Sequence, residues 1–187
     1  MRVSFVAVLC CATVLGGSSV ALLPAAAQET MPMPAKKFVS PAAKAAVILP
    51  NANITIDYCA PQMHGRAIFG GLVPYGEVWR TGANAATTLK TSGALQIGDL
   101  KVPAGTYTLY SLPTQDGWTL IVNKQTGQWG TVYDKAQDLG RVAMSASTTS
   151  TPVESFVIDF EKTMENTTEL HLKWAGVDAS VQVTATK

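Results

Sequence analysis

"ESFVIDFEK", residues Glu154–Lys162, and "ELHLKWAG", residues Glu169–Gly176, decide the fold class of this chain. In both stretches large apolar side chains recur at every second position: Phe156, Ile158 and Phe160, then Leu170, Leu172 and Trp174. A period of two places these side chains on one face of an extended strand, because successive side chains of a strand point to opposite faces of its sheet. Both stretches are therefore predicted to be β-strands with one buried face.

The same alternation continues outward along the chain from these two strands. It is found in "NITIDYCAP" (Asn53–Pro61), "GALQIGDLKVPAGTYTLYSLP" (Gly93–Pro113), "GWTLIVNKQTG" (Gly117–Gly127) and "ASVQVTA" (Ala179–Ala185). Glycine and proline separate the apolar runs, as turns between strands require. No segment of helical length carries an apolar stripe of helical period. The sequence predicts an all-β domain, an antiparallel β-sandwich or jelly-roll-like fold of about nine to ten short strands.

The N-terminal segment has the features of a cleaved secretory signal. Arg2 gives it a positive start, residues 3–23 are almost entirely apolar or small, and Ala25 and Ala27 occupy the small positions of a cleavage site. We expect residues 1–27 to be removed and the rest of the chain to be exported, to the periplasm or the extracellular space. No membrane span is expected after cleavage.

Charge and cysteine content narrow the classes of partner. Losing Arg2 and no acidic residue takes the formal net charge from +1 to zero. A neutral domain has no electrostatic footprint for nucleic acid or for an anionic membrane, so neither is expected as a partner. Cys10 and Cys11 leave with the signal, which leaves Cys59 without an intramolecular disulfide partner.

The exported chain divides into a leader and one domain. Residues 28–50 are rich in Ala, Pro and Lys and are predicted to be an extended leader. Residues 51–187 are predicted to form a single β-sandwich domain, long enough to bury its own core.

A long glycine-rich segment between the predicted strands carries a family resemblance. "GRAIFGGLVPYGEVWRTGANAATTL" (Gly65–Leu89), with "ITIDYCAP" before it and "LHLKWAGVDASVQV" near the end, resembles the bacterial exported family of unknown function DUF2911. The resemblance implies an exported or periplasmic β-rich domain without an established activity. Members of the family commonly carry an acidic residue after Gly-Ala-Asn, where this chain has Ala85. Any chemistry that depends on that carboxylate is therefore missing here.

The same segment concentrates side chains that suit a ligand site. Arginine is rare in this chain, yet Arg66 and Arg80 both lie here, together with Tyr75, Trp79 and Asn84. A guanidinium presents a rigid fork of donors to a carboxylate or phosphate. Aromatic faces suit a flat or apolar group, and an amide both donates and accepts. We therefore consider a small-molecule or cell-envelope ligand bound at the Arg66–Thr87 loop.

The same residues also suit a scaffold. In a long loop the backbone polar groups have no ladder partners, and arginine and asparagine side chains can supply hydrogen bonds to them. Asp57 and Glu77 are candidate ion-pair partners for the two arginines, and Gly82 and Asn84 suit a positive φ. A binding site and a scaffold both remain open on the sequence.

Catalytic and metal motifs are absent from the sequence, and no cofactor is expected. There is no HExxH, CxxC, EF-hand or phosphate-loop pattern. His171 alternates with apolar neighbours and is expected to face solvent. An enzyme acting on envelope saccharides or peptides, with His64, Asp57 and Glu77 as acid or base groups, is an alternative hypothesis. A structural or interaction domain is another. Non-catalytic binding is the leading hypothesis.

Overall fold

The computed structural model describes residues 40–187, so the predicted signal peptide and the leader as far as residue 39 lie outside the described residues. The described chain forms nine antiparallel strands and one 3-10 turn, Lys135–Gln137. The strands are β1 (Ala42–Leu49), β2 (Ala52–Cys59), β3 (Thr87–Thr91), β4 (Leu95–Ile97), β5 (Leu100–Val102), β6 (Gly105–Pro113), β7 (Trp118–Asn123), β8 (Asp138–Met164) and β9 (Thr167–Ala185). The predicted all-β class is confirmed.

Hydrogen bonds join all nine strands into one sheet, in the order β1-β2-β3-β6-β7-β8-β9-β4-β5. The two separate sheets of a sandwich are not confirmed, because the long strand β8 joins the strands on its two sides into one sheet. Its first part, from Asp138 to Met144, pairs with β7, and its remainder pairs with β9. Register shifts between Thr148 and Val157 interrupt the second pairing, and such bulges bend a strand and increase its twist.

The sheet begins before Pro50, within the stretch assigned to the leader. Strand β1 pairs with β2 along its whole length, with Ala42 opposite Cys59 and Leu49 opposite Ala52. Only Ala45 and Leu49 of β1 are buried. Alanine lies on both faces of this edge strand and Ile48 lies on its exposed face, so the apolar alternation is weak, which explains why the pattern did not mark it.

The predicted inward faces form the core. The alternating apolar side chains of β2, β7, β8 and β9 are buried: Ile54, Ile56, Tyr58, Trp118, Leu120, Val122, Phe156, Ile158, Leu170, Leu172, Trp174, Val181 and Val183. They belong to one contiguous apolar cluster, to which β3, β4 and β6 also contribute. Burial of this apolar face is the main term that stabilises the domain.

His171 lies on the opposite face of β9 from Leu170 and Leu172, as the alternation predicts, but its predicted solvent exposure is wrong. Only 5% of its surface is exposed. Asp178 lies 2.8 Å from its Nδ1, and Glu169 lies 3.2 Å from its Nε2. Charged side chains from β8 and β9 cover the face of the sheet on which His171 lies. Strand alternation alone therefore does not predict how exposed His171 is.

The chain that follows β2 covers an edge of β8. The backbone N–H of Phe156 donates to Pro61 O at 2.8 Å, and the N–H of Met63 donates to Glu154 O at 2.9 Å. One step further along β8, the N–H of Ile158 donates to the hydroxyl oxygen of Tyr58 at 3.0 Å. Backbone groups of a strand edge must find partners when they are buried, and this segment supplies them. The long connection to β3 therefore starts against the middle of β8.

Candidate functional site

The connection from β2 to β3, residues 60–86, carries every candidate ligand-binding residue and is pinned to strand β6. The backbone N–H of Trp79 donates to Ser111 O at 2.7 Å, and the N–H of Ser111 donates back to Trp79 O at 2.9 Å. Gly76 N–H donates to Pro113 O at 2.8 Å. These bonds place the loop along the end of β6 and leave its charged side chains at the surface.

A strained turn follows Arg80. Thr81, Gly82 and Asn84 have φ values of 50°, 151° and 60°, which confirms the positive φ predicted for the last two. The buried hydroxyl of Thr81 donates to Ser111 Oγ at 3.0 Å, and the carbonyl of Thr81 accepts from Thr87 Oγ1 at 2.7 Å. Interactions of this kind hold a residue in a sparsely populated conformation. The turn thus fixes the backbone next to the Arg80 side chain.

Trp79 joins the loop to the core through aromatic contacts. Its ring stacks on Trp174 with centroids 5.6 Å apart and an interplanar angle of 17°. It meets the edge of Phe156 at 4.9 Å. Trp174 is itself buried and donates its indole N–H to Glu154 O at 3.1 Å. Trp79 is half-buried, so one part of its ring packs on the core and the rest is exposed at the protein surface.

Arg66 is exposed and uses part of its guanidinium on the loop. Its Nε donates to Met63 O at 2.9 Å, and its Nη2 donates to Gln62 O at 2.6 Å. The predicted ion pair with Asp57 does not form, because Asp57 pairs with Lys44 at 3.1 Å and with Lys90 at 3.4 Å on neighbouring strands. The loop carbonyls hold the Arg66 side chain in place while leaving other donors of its fork unused.

Arg80 is half-buried, and its guanidinium has no hydrogen bond or ion pair with any residue in the range 40–187. The pairing with Glu77 considered from the sequence is not made within 4.0 Å. The aliphatic stem of Arg80 passes over Gly130, where an added Cβ would lie 2.5 Å from Arg80 Cδ. The backbone thus positions the stem of Arg80 and leaves its charged end without a partner among the described residues.

A cavity of about 220 Å³, named here the arginine cavity, brings the two arginines together. Its basic groups are His64, Arg66 and Arg80. Its apolar lining is formed by Pro61, Leu72, Val73, Trp79 and Trp174. No carboxylate of the described residues lines it. The cavity therefore combines an apolar wall with an excess of positive hydrogen-bond donors.

A second cavity of about 220 Å³, named here the Glu77 cavity, adjoins the first. Leu72, Val73, Trp79 and Arg80 line both cavities. The second cavity adds the carboxylate of Glu77, which lines only this one. Arg80 and Trp79 thus stand between a purely basic cavity and one that carries an acid.

Two other candidate residues lie outside the arginine cavity. Asn84 donates from Nδ2 to Ser40 O at 3.5 Å, and its own carbonyl accepts from Gly130 N–H at 3.1 Å. Tyr75 lines a separate open groove of about 550 Å³ with Phe69 and residues 114–118 and 144–148. Asn84 supports one wall of the arginine cavity through Ser40, and Tyr75 belongs to another surface.

The residues considered for catalysis are dispersed. Among them His64 lines the arginine cavity and Glu77 lines the Glu77 cavity, whereas Asp57 lines neither. The backbone N–H of His64 donates to Glu154 Oε1 at 2.9 Å. Within residues 40–187, no group of His, Cys, Asp and Glu is arranged to hold a metal ion. Ala85, where relatives carry an acid, is exposed and forms a backbone bridge with Trp129.

Two features escaped prediction. Trp174 was assigned to the core by its alternation, yet it also lines the arginine cavity. Thr81 and Ser111 fix the turn after Arg80 from positions far apart in the chain. Only the run of polar residues after Trp79 hinted at such a turn, and nothing in the sequence pointed to its partner in β6.

Comparison with known proteins places the chain in a family. The family model described as "Protein of unknown function (DUF2911)" matches residues 40–183, more than half of the chain, from the start of the described residues into the last part of β9. No curated protein and no solved structure matches the chain. Within residues 40–187, no helix is long and apolar enough to cross a membrane. Because this match covers both the sheet and the connection from β2 to β3, the chain belongs to the DUF2911 family.

Proposed function

We propose that this domain is a non-catalytic binding module whose arginine cavity holds the carboxylate of a small molecule or envelope component. The observation that carries the proposal is Arg80, a half-buried residue whose guanidinium is unpaired among the described residues, in a cavity that has no carboxylate of its own. A guanidinium without a protein partner keeps its donors free for a charged group. An anionic ligand would supply that partner.

The two arginines differ in how they are prepared for a ligand. Arg66 is already held by two loop carbonyls, at 2.9 Å and 2.6 Å. Less side-chain entropy is lost when a pre-oriented group binds, which favours affinity. Arg80 keeps its whole fork free for bidentate contact with a planar carboxylate. Together they support recognition of an anion from two directions.

The size and lining of the cavity narrow the ligand class. Its volume of about 220 Å³ is small beside common ligand pockets and equals the space of about seven water molecules. The apolar wall formed by Val73, Trp79 and Trp174 suits a short apolar body next to the charged group. These features favour a small carboxylate, or the carboxylate end of a larger molecule.

The arrangement favours binding over the alternative enzymatic role. General acid–base catalysis needs groups within hydrogen-bond reach of one bound substrate. Asp57 is occupied by Lys44 and Lys90 on the outer face of the sheet and does not line the cavity. His64 is the candidate acid or base that lines the arginine cavity, and its variant His64→Ala tests any turnover.

The proposal is tested by calorimetric titration of the purified protein with benzoate, and with benzamide as the neutral analogue. We expect benzoate to bind and benzamide not to bind. Arg80→Gln should weaken benzoate binding about 10- to 100-fold, the effect of losing hydrogen bonds between charged groups. Arg80→Lys, which keeps the charge and loses the fork, should give a smaller loss.

Arg141→Gln is the matched control. It removes the same charge from a guanidinium that pairs with Asp138 at 3.0 Å and does not line the arginine cavity. Thermal unfolding of each variant separates a lost ligand contact from a lost fold. Equal affinity of the wild-type protein for benzoate and benzamide contradicts the proposal, and so does an unchanged affinity in a folded Arg80→Gln variant.

A further inference from the structure

The arginine cavity and the Glu77 cavity adjoin each other and share part of their lining. Four residues line both of them, and among these Arg80 and Trp79 stand at the centre of the pair. Leu72, another shared residue, is 48% exposed, so the boundary between the cavities is open to solvent on that side. Arg80 and Trp79 therefore border both cavities, and a group bound in either one lies against them.

The two cavities differ in their charge patterns. His64, Arg66 and Arg80 supply the ionisable groups of the arginine cavity. In the Glu77 cavity, Glu77 supplies a carboxylate that is exposed and has no hydrogen bond or ion pair with residues 40–187. Because Glu77 and Arg80 do not pair with each other, both retain their capacity for a ligand.

The two tyrosine hydroxyls of the Glu77 cavity are already engaged. Tyr110 donates its hydroxyl to Val132 O at 2.7 Å. Tyr133 donates its hydroxyl to Asp138 Oδ2 at 2.8 Å and accepts from Arg141. Glu77 is therefore the charged acceptor that this cavity offers to an incoming donor, and an ammonium group forms a charge-assisted hydrogen bond with a carboxylate.

We propose that the ligand is a zwitterion of the amino-acid or short-peptide class. Its carboxylate lies between Arg66 and Arg80, and its ammonium group lies at Glu77. The inference rests on the proposed function, since it adds a second recognition point to the same anion site. Glu77 is the residue that determines specificity for an amine, and it takes no part in holding the carboxylate.

The test compares three forms of one dipeptide by calorimetry with the purified protein: alanyl-alanine, its N-acetyl derivative and its C-terminal amide. We expect alanyl-alanine to bind at least about threefold more tightly than the N-acetyl form, the scale of an exposed ion pair. The amide form, which lacks the carboxylate, should bind most weakly. In Glu77→Gln, the preference for the free amine over the N-acetyl form should disappear while carboxylate binding persists.

Glu165→Gln is the matched control, because Glu165 is an exposed acid in the turn between β8 and β9, away from both cavities. The preference for the free amine should survive in this variant. If alanyl-alanine and its N-acetyl form bind equally to the wild-type protein, the zwitterion inference is overturned while the carboxylate proposal stands. If the amide binds as tightly as the free acid, the carboxylate proposal fails, and the inference fails with it.

Discussion

Replacing Tyr58 by phenylalanine tests how the edge of β8 next to the site is covered. The phenol of Tyr58 accepts from the backbone N–H of Ile158 at 3.0 Å and lies 3.5 Å from Ile158 O. Ile158 is 2% exposed, so neither backbone group has access to solvent. The phenylalanine ring keeps the edge contact with Phe156, whose centroid lies 5.7 Å from that of Tyr58. The substitution thus removes the hydroxyl and little else.

The magnitude follows from what the hydroxyl satisfies. A buried backbone donor left without a partner costs about 1–3 kcal/mol in the free energy of unfolding. For a domain of this size that loss lowers the Tm by about 2–10 °C. We expect a single cooperative transition, shifted down by this amount, in thermal unfolding followed by circular dichroism.

The pH dependence of stability offers a second readout of the same contact. Burial raises the pKa of the Tyr58 phenol above its ordinary value of 10.0. At pH values below 10.0 the phenol is neutral in both the folded and the unfolded chain. As the pH rises above 10.0, the unfolded chain ionises first, so the folded state loses stability. In Tyr58→Phe this alkaline loss should be smaller than in the wild-type protein.

Tyr75→Phe is the control for the loss of a hydroxyl. Tyr75 is 42% exposed, and its hydroxyl bonds to none of the described residues. Its variant should unfold within about 0.5 kcal/mol of the wild-type protein. If Tyr58→Phe also falls within that margin, the N–H of Ile158 has another partner, and the account of the β8 edge is wrong.

Two further predictions concern the turn below Arg80 and the charged face of β8 and β9. Gly130→Ala places a Cβ 2.7 Å from Asn84 O, which is backbone and cannot rotate away. We expect weaker benzoate binding and a lower Tm in this variant, and wild-type values for both would contradict the packing of Arg80 over Gly130. The hydrogen bond from Lys173 lowers the pKa of Glu161 below its ordinary 4.5. That stabilisation is present at pH values above 4.5 and is lost as the pH falls through the lower folded-state pKa. As the pH falls below 4.5, wild-type stability should therefore fall more steeply than that of Lys173→Met. Parallel acid titrations of the two proteins would refute this assignment.

Local pattern predicted most of the sheet. Residues such as Ile54, Leu120 and Leu172 alternate with polar neighbours, and alternation alone assigns them to the buried face. The break at Gly98 likewise marks the turn between β4 and β5. Strand β1 escaped because alanine contributes little apolar contrast, although pairing with β2 makes Ala42–Leu49 a regular strand.

The candidate site was predicted in part. The rarity of arginine in the chain singled out Arg66 and Arg80, and the structure brings both to one cavity. Tyr75 was grouped with them because it lies nearby in sequence, yet the loop turns between Tyr75 and Trp79 and gives Tyr75 to another groove. Sequence proximity in a loop carries no information about which surface a side chain faces.

The sequence by itself determined the all-β class, the inward faces of the strands and the residues that make the Gly65–Leu89 segment distinctive. Those properties are local, because they depend on the two-residue period of a strand and on the chemistry of single side chains. Tertiary structure decided which charges pair. Asp57 is taken by Lys44 and Lys90 on neighbouring strands, His171 is enclosed by carboxylates, and Arg80 is left unpaired among the described residues. Electrostatic pairing depends on distances of a few ångströms between residues that are far apart in the chain, and only the folded sheet fixes those distances.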